Sequence, residues 1–327
     1  MIDTAIILAI GNPLHQSQLI YNRPRAMLPA LGKPLVVRTM ERLFRAGIRK
    51  YIVVIGENEG AVASYLNSQW LPNVEIQFIL QSINISLIQT LIEITQSNPQ
   101  PFVITTYNTF THNNFPEQIL KQYTHSPVDL LLTIAPSTLS RSNTHTLATI
   151  KDQQIVSITD RQPKSEESYV TGNLVVCGIK FIEYLNKSLP STGQFNKQLI
   201  DIFATYLQNG GKISVAETTW LLQIETDSDL LTLNWQLLDD DADSHILSEL
   251  PPSVHIIPPV RIDPQVSVGL SAQLGPRVYL ESGCSIGHHA NIGNAIILQN
   301  TIIPANSRIT NAIIATRARI DYPSEPK

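Results

Sequence analysis

The sequence predicts an α/β protein in which a doubly wound sheet of mixed strand direction precedes a short C-terminal parallel β-helix. Short apolar runs alternate with amphipathic segments in the first part of the chain, and strand-like segments dominate the middle. After Pro251 and Pro252, apolar residues recur at every sixth position. We therefore predict an α/β domain over residues 1–250 and a β-helix domain over residues 251–327.

The first part of the chain alternates between strand and helix patterns. The run TAIILAIG ends at Gly11 and is typical of a buried parallel strand. After a polar loop, KPLVVRTMERLFRAGIRK has the periodicity of a helix, with Gly47 as its C-cap. Further strands and helices are predicted in alternation at YIVVIG, EGAVASYLNSQW, VEIQFILQ, SLIQTLIEITQS and PFVITTYN. Such alternation favours a doubly wound sheet.

The middle of the chain is richer in strands. The segments VDLLLTIAP and SYVTGNLVVCGI are predicted strands, and TLATIKDQQIVSITD is a predicted hairpin. FNKQLIDIFATYLQNG is a predicted helix that ends at two glycines. DSDLLTLNWQLLDD is a further predicted helix, with an Asp or Ser as its N-cap.

Two tracks of residues repeat with a period of six near the C-terminus. The larger residues are Ile256, Ile262, Val268, Leu274, Leu280, Ile286 and Ile292. Two positions before each from Ile262 onward stands a small or β-branched residue: Val260, Val266, Ala272, Val278, Cys284 and Ala290. This pattern predicts a parallel β-helix of three to four coils, with the larger residues inside and the smaller ones at the corners. The phase slips near Leu298 and partly resumes up to Ile320.

The bulk composition excludes several classes of function. The chain has 327 residues, of which 43% are hydrophobic and 15% are charged, and its formal net charge is -4. No basic field for nucleic acid or an anionic membrane is present, and no run approaches a membrane span. Cys177 and Cys284 are far apart, which gives no disulfide framework or zinc site. No signal peptide is recognisable, so we expect a cytoplasmic protein.

The stretch YNRPRAMLPALGKPLVVRTMERLFRAGIRKYIVVIG, residues 21–56, joins a Pro-Arg pair, a Leu-Pro pair and a Gly-Lys-Pro-Leu run to a helix and a strand. With the six-residue repeats, it resembles the sugar-1-phosphate nucleotidyltransferases (NDP-sugar pyrophosphorylases) of the glucose-1-phosphate thymidylyltransferase and mannose-1-phosphate guanylyltransferase type. The resemblance implies a Rossmann-like, GT-A-like domain and a left-handed β-helix. It also implies transfer of a nucleotidyl group from an NTP to a sugar 1-phosphate, with Mg²⁺ as cofactor and release of pyrophosphate.

The resemblance places the phosphate-binding loop after the first strand, where the family has Gly-Gly-x-Gly-Thr-Arg-Leu. This chain has Gly11 and Asn12, then Pro13, which lacks an amide donor. His15 stands at the arginine position, and histidine is only partly charged near neutral pH. Arg25 stands where the family has the lysine of its Pro-Lys pair.

The remaining family positions are also substituted. Gln81 aligns with the glutamine that frames the nucleobase, but no Gly-Thr-Ala segment follows it. Asn108 and Gln223 occupy the two positions at which the family's aspartates bind the metal. Gln162 replaces the lysine that meets the sugar phosphate, and Asn173 lies in the segment that matches Asn-Ala-Gly.

These substitutions predict a catalytically impaired relative that acts as a regulatory or structural subunit, or that binds a nucleotide or nucleotide sugar. Its expected partners are further copies of itself or an active paralogue. The first alternative is a divergent but active nucleotidyltransferase, in which Arg25 and His15 supply the cations and Asp160 or Asp227 holds Mg²⁺. The second is acyl transfer at the β-helix with His288 or His289 as base.

Overall fold

The computed structural model describes residues 2–11, 17–21, 23–69, 73–136, 146–159, 169–188, 198–240 and 244–322. Contacts divide the chain into two units: unit 1 is Met1–Gly11 with Val36–Gln223, and unit 2 is Asn12–Leu35 with Ile224–Lys327. This division cuts the chain at other points than the predicted boundary between residues 250 and 251, which stays a prediction. No helix in the described ranges is long and apolar enough to cross a membrane.

Strands are numbered in chain order. Up to residue 223 they are β1 (Thr4–Ala9), β2 (Pro29–Ala30), β3 (Lys33–Pro34), β4 (Lys50–Gly56), β5 (Glu75–Gln81), β6 (Phe102–Thr106), β7 (Thr109–Thr111), β8 (Leu130–Pro136), β9 (Leu147–Lys151), β10 (Gln154–Thr159), β11 (Tyr169–Cys177), β12 (Ile213–Glu217) and β13 (Leu221–Gln223). The helices of unit 1 are α1 (Leu35–Arg45), α2 (Gly60–Gln69), α3 (Leu87–Ser97), α4 (Phe115–His125), α5 (Ile179–Lys187) and α6 (Leu199–Gln208).

Unit 1 is built on a nine-stranded sheet in the order β5-β4-β1-β6-β11-β8-β12-β10-β9. β1 pairs in parallel with β4 and β6, β4 pairs in parallel with β5, and β8 pairs in parallel with β12. β11 runs antiparallel to both β6 and β8. The sheet is therefore mixed, and the predicted α/β class is confirmed.

The predicted elements of unit 1 follow local sequence signals. All six residues of β1 are buried, as a continuous apolar run indicates. α1 ends just before Gly47, which has a φ of 105°, and the amide of Ile48 reaches back to the carbonyl of Leu43. The predicted hairpin is β9–β10, in which Asp152 and Gln153 both have a positive φ.

Two helices of unit 1 were not predicted. α4 follows a stretch of polar residues and has Pro116 in its first turn, and its buried face includes Phe115, Ile119 and Tyr123. α5 begins two residues after β11, so in the sequence the start of the helix cannot be told apart from the apolar run of the strand. In both helices the buried face becomes recognisable only when it packs against the sheet.

Among the described residues, unit 2 contains β2, β3, α7 (Asp227–Asp239) and ten strands that follow α7. These are β14 (His255–Ile256), β15 (Val260–Ile262), β16 (Ser267–Val268), β17 (Gln273–Leu274), β18 (Val278–Leu280), β19 (Ser285–Ile286), β20 (Asn291–Ile297), β21 (Ile302–Ile303), β22 (Arg308–Ala315) and β23 (Ala318–Asp321). α7 begins one residue after Thr226, whose hydroxyl accepts from the amide of Asp229. The prediction of an Asp or Ser N-cap was wrong, because Thr226 and Asp229 form a capping box.

The strands of unit 2 form three parallel ladders. They are β14-β17-β20-β22, β15-β18-β20-β22 and β16-β19-β21. Ile256 pairs with Leu274 and Leu274 pairs with Ile292, so these two coils each advance 18 residues. The predicted interior residues are buried except Ile256, which is partly buried, and all six smaller residues are buried. The coiled parallel β domain expected at the C-terminus is present.

The phase slip lies earlier than predicted. Ile292 pairs with Ile309 and Leu280 pairs with Ile297, so this coil advances 17 residues. The missing residue is at the corner between Ile292 and Ala295, where Asn294 has a φ of 50°. The six-residue repeat resumes at Ile303 and Ile309, which pair with Ile286 and Ile292 and are buried in the coils. It does not continue to Ile320, because β23 folds back antiparallel onto β22 and pairs Ile320 with Ile313.

The N-terminal segment of unit 2 is held against the coils and α7 by buried polar groups. The fully buried side chain of Asn234 accepts from the amide of Leu31 at 2.9 Å and donates to the carbonyl of Pro29 at 3.3 Å. The amide of Gly32 donates to the hydroxyl of Tyr279, which donates in turn to Asp263 at 2.7 Å. This segment therefore belongs to unit 2 by specific hydrogen bonds.

A second anchor of that segment is ionic. Arg23 binds Glu281 through both guanidinium nitrogens, at 2.7 and 2.8 Å, and Glu281 also accepts from the amide of Gln299. Both charged side chains are largely buried. Paired charges and bidentate geometry make this one of the stronger polar contacts of unit 2.

We predict that Gly287→Ala destabilises unit 2. A Cβ at this position would lie 2.3 Å from the backbone nitrogen of Ala305 in the next coil, and backbone cannot move aside as a side chain can. The expected loss is about 1–3 kcal/mol in the free energy of unfolding, measured by urea titration. Gly60→Ala is the control, because nothing lies within 4 Å of its added Cβ. Equal stability of the two variants would contradict the stacking described here.

Candidate active site

The parallel strands of unit 1 end together at one edge of the sheet, which is where α/β proteins bind ligands. β1 leads into Gly11, β4 ends at Gly56, and β6 leads into Asn108. β5 ends at Gln81, another of the predicted site residues. The sheet thus brings Gly11, Asn108 and Gln81 to the same edge.

A buried carboxylate, that of Glu59, lies at this edge. It accepts from the backbone amide of Gly56 at 3.1 Å and from that of Gly11. Glu59 is 8% exposed, and burial raises its pKa above the usual 4.5, whereas the two amides favour the charged form. The resemblance assigns the backbone amide of Gly11 to phosphate binding. Here this amide donates to the carboxylate of Glu59.

The two predicted metal positions are brought side by side. Asn108 lies in the turn between β6 and β7, and Gln223 ends β13. β7 and β13 pair antiparallel, with Gln223 opposite Thr109, the residue after Asn108. Two sequence positions more than a hundred residues apart thus lie next to each other in one antiparallel pair of strands.

α1 holds the turn and strand that carry Asn108. The hydroxyl of Thr39 donates to the carbonyl of Tyr107 at 3.0 Å. Arg42 donates to the carbonyl and the hydroxyl of Thr111 and to the carbonyl of His112, each at 2.6 Å. Burial lowers the pKa of Arg42 to about 10. A rigid helix therefore fixes the position of the candidate site.

The donor set at this position does not fit Mg²⁺. Asn108 and Gln223 supply neutral amide oxygens, whereas Mg²⁺ in proteins is held through carboxylates and phosphates. In the described part of the chain no group of three or more His, Cys, Asp or Glu side chains is arranged to hold a metal ion. We assign no catalytic step to a metal in this protein.

Gln81 is engaged within unit 1. Its amide nitrogen donates to the carbonyls of Ser82 and Ile85, at 3.2 and 2.5 Å, and its carbonyl accepts from the hydroxyl of Thr90 at 2.7 Å. The side chain therefore fastens the loop that leads into α3. A nucleobase could form hydrogen bonds with the Gln81 side chain only if these contacts were broken.

Asn173 lies in β11, where the pairing with β8 is irregular between Thr171 and Val175. Its side chain is half-buried. The neighbouring Gly172 is tightly packed, because a Cβ there would lie 2.9 Å from the side chain of Leu221. Val175 pairs with Ile104 of β6, so Asn173 lies toward the carboxyl end of β6, at the same edge as Asn108.

Arg25 belongs to unit 2 and is paired there. It is 8% exposed, donates through Nη1 to the carbonyl of Glu225, and lies 3.8 Å through Nη2 from Asp227. Asp227 also accepts from the hydroxyl of Ser17 at 2.5 Å and from the amide of Gln18 at 3.0 Å. Asp227 is therefore an internal partner of this cation, which argues against its use as the alternative metal ligand.

The remaining predictions divide into two groups. Asn12, His15 and Gln162 lie outside the described residues, as does Asp160. His288, the candidate base for acyl transfer, accepts through Nδ1 from the amide of Leu270 at 2.9 Å, and His289 donates its amide to the carbonyl of Leu270. Both histidines therefore join adjacent coils at a corner.

Glu59 was not among the site residues predicted from the sequence. Its only local signal is the run Gly-Glu-Asn-Glu-Gly after a predicted strand, which is also typical of a solvated turn. Its role depends on the parallel alignment of β1 with β4, which places Gly11 and Gly56 within reach of one carboxylate.

The raised pKa of Glu59 predicts a pH dependence of stability. Between 4.5 and the raised pKa, the folded protein binds more protons at this residue than the unfolded chain does. The free energy of unfolding contributed by Glu59 is therefore fully present below 4.5 and falls as the pH rises through this interval. Glu59→Gln does not titrate, so the stability of the parent relative to this variant should fall over the same interval in urea titrations. A difference that is constant with pH would contradict the raised pKa.

Two protein-family models match the chain, one in its first part and one near its C-terminus. The model described as nucleotidyl transferase matches residues 4–221, and the model described as GMPPB C-terminal domain matches residues 256–324. The first match spans all strands of the nine-stranded sheet and covers well over half of the chain.

Curated relatives match over nearly the whole chain. The bifunctional protein GlmU of Acinetobacter baumannii (strain AYE) is 24% identical over 323 residues, which cover 94% of this chain and 67% of that protein. GlmU of Symbiobacterium thermophilum is 21% identical over 326 residues, or 95% of this chain and 66% of that protein. The chain thus spans about two thirds of the length of these relatives.

Two solved structures share the fold. A protein described as a glucose-1-phosphate thymidylyltransferase from Bacillus anthracis has a TM-score of 0.61 and 17% identity, over 75% of this chain and 97% of that one. The inositol-1-phosphate CTP transferase from T. maritima has a TM-score of 0.59 and 15% identity, over 70% of this chain and 91% of that one. Taken with the family models, they confirm the resemblance to sugar-1-phosphate nucleotidyltransferases: the chain belongs to the nucleotidyl transferase family.

Proposed function

We propose that this protein is a catalytically impaired member of the nucleotidyl transferase family that acts as a regulatory or structural subunit. The observation that carries the proposal is the pairing of β7 with β13, which brings Asn108 and Gln223 together as neutral amides. Nucleotidyl transfer from an NTP to a sugar phosphate concentrates negative charge on the α-phosphate and the leaving pyrophosphate. The reaction therefore depends on positioning and on neutralisation of that charge.

The magnitude of the expected loss supports impairment. One electrostatic contact to a transition state typically contributes about 10²–10³ in rate. Replacing two carboxylates by amides removes two ligands that would hold a divalent cation at this edge of unit 1. The combined loss should reach several powers of ten.

Arg25 is the candidate cation that lies among the described residues, and its contacts further support the proposal. Arg25 lies in unit 2, is buried, donates to the carbonyl of Glu225, and forms an ion pair with Asp227 at 3.8 Å, a distance too long for a hydrogen bond. A substrate phosphate would have to compete with an internal carboxylate for this guanidinium. Such competition lowers affinity for anions even where the cation is retained.

The relatives supply the proposed ligand class. Their printed names include a glucose-1-phosphate thymidylyltransferase and an inositol-1-phosphate CTP transferase. These names support nucleotide or nucleotide-sugar binding as the alternative to a purely structural or regulatory role. The proposed partners are copies of the same chain or an active paralogue, and the proposed location is the cytoplasm.

The C-terminal coils are the proposed surface for association. The proposal includes left-handed winding and a hexapeptide-repeat identity for these coils. It also includes domain bounds at residues 1–250 and 251–327. Stacked coils leave backbone groups at their ends, which favours self-association.

A turnover assay tests the proposal directly. The purified protein is incubated with Mg²⁺, each of the common NTPs and a series of sugar 1-phosphates, and pyrophosphate release is measured. We expect no turnover above background. Turnover at an ordinary enzymatic rate would contradict the proposal and support the alternative of a divergent active enzyme.

The metal positions allow a sharper prediction. Asn108→Asp with Gln223→Asp should raise the affinity for Mg²⁺, measured by calorimetric titration, because the pairing of β7 and β13 places two restored carboxylates side by side. Asn67→Asp with Gln118→Asp adds the same charge at exposed positions on α2 and α4 and serves as the matched control. Equal Mg²⁺ affinity of the two double variants would show that Asn108 and Gln223 are not the family's metal positions.

A further inference from the structure

Glu59 reaches across the ends of two adjacent parallel strands. The residue immediately precedes α2, and its side chain turns back to the end of β4. There it accepts from the amide of Gly56, and it also accepts from the amide of Gly11, which follows β1. With 8% of its surface exposed, it is a buried acid held by backbone donors.

Backbone amides at the carboxyl ends of parallel strands are donors to which phosphates commonly bind. Here the amides of Gly11 and Gly56 already serve a carboxylate. A phosphate at the same donors would have to break these hydrogen bonds and approach a group of like charge. Both effects oppose its binding.

We propose that Glu59 is an internal anion that occupies the amides of Gly11 and Gly56 and thereby excludes phosphate groups from this edge of unit 1. The inference rests on the proposed function, since it gives a physical reason why the loop after β1 would not hold a triphosphate. It assigns to Glu59 a role in ligand specificity.

The packing around Gly11 follows from the same contact. A Cβ built on Gly11 would lie 2.6 Å from Oε1 of Glu59, closer than two such atoms can approach. The space beside residue 11 is therefore filled by the carboxylate. A methyl group at residue 11 would therefore have to displace the end of the Glu59 side chain from this position.

The neighbouring acid, Glu57, provides a matched control. It carries the same charge on the same loop, but it accepts from the hydroxyl of Ser82 at 2.8 Å and from the amide of Ile83 at 3.3 Å. Glu57→Gln therefore removes a negative charge two residues away and leaves the hydrogen bonds of Glu59 in place.

The first experiment is calorimetric titration of inorganic pyrophosphate into the full chain. Glu59→Ala should bind pyrophosphate roughly tenfold or more tightly than the parent, because the repulsion is removed and the amides are freed. Glu59→Gln should show an intermediate gain, because it removes the repulsion but keeps a side-chain oxygen that can accept from the same amides. Glu57→Gln should show a much smaller gain. Equal affinity in the parent and the Glu59 variants, or an equal gain in Glu57→Gln, would overturn the inference.

The second experiment is a double-mutant cycle that does not depend on a ligand. Gly11→Ala should lower the melting temperature of the parent, because the new methyl group displaces the carboxylate. In the Glu59→Ala background the same substitution should cost far less, since the space is open. Additive losses in melting temperature would mean that Glu59 does not occupy the space beside residue 11, and would overturn the inference.

The two proposals fail separately. Pyrophosphate release by the parent protein would contradict the proposed function. A parent protein that has no turnover but binds pyrophosphate as tightly as Glu59→Ala would contradict only the inference about Glu59.

Discussion

The candidate site of unit 1 depends on the parallel pairing of β1 with β4 and β6. β1 is buried along its whole length, so its pairing on both sides is fixed by the core. This pairing brings the carboxyl ends of three strands to one edge, and with them Gly11, Gly56 and Asn108. The hydrogen bonds of Glu59 and the position of the turn at Asn108 follow from it.

Two acidic side chains, those of Glu59 and Asp227, accept hydrogen bonds from other groups of this chain. Glu59 in unit 1 binds two backbone amides, and Asp227 in unit 2 binds the hydroxyl of Ser17, the amide of Gln18 and the guanidinium of Arg25. A buried charge must be paired or hydrogen-bonded, and once it is, its partners are less available to a ligand. The negative charges of Glu59 and Asp227 are thus satisfied within the units that carry them.

The stretch that most specifically indicates the family is divided between the two units. Its first part, up to Leu35, belongs to unit 2, where Asn234, Tyr279 and Glu281 hold it. Its second part, the helix α1 and strand β4, belongs to unit 1, where α1 fixes the turn at Asn108 through Thr39. Contacts within each unit therefore hold both parts of this stretch in place.

The sequence by itself determined the elements whose signals are local. The apolar runs of β1, β4 and β6, the glycine after α1 and the six-residue tracks of unit 2 each depend on neighbouring residues, and they were predicted from these. The neutral residue types at the two predicted metal positions, Asn108 and Gln223, could also be read from the sequence.

Only the tertiary structure decided what those residues contact. The pairing of β7 with β13 joins residues more than a hundred positions apart, and α4 and α5 show their buried faces only against the sheet. One coil is a residue short, and the repeat ends where β23 folds back onto β22 as a hairpin. A fixed sequence period could show neither feature. The role of Glu59 likewise needs two strands aligned in space, because hydrogen bonds between distant segments leave no periodic trace in the sequence.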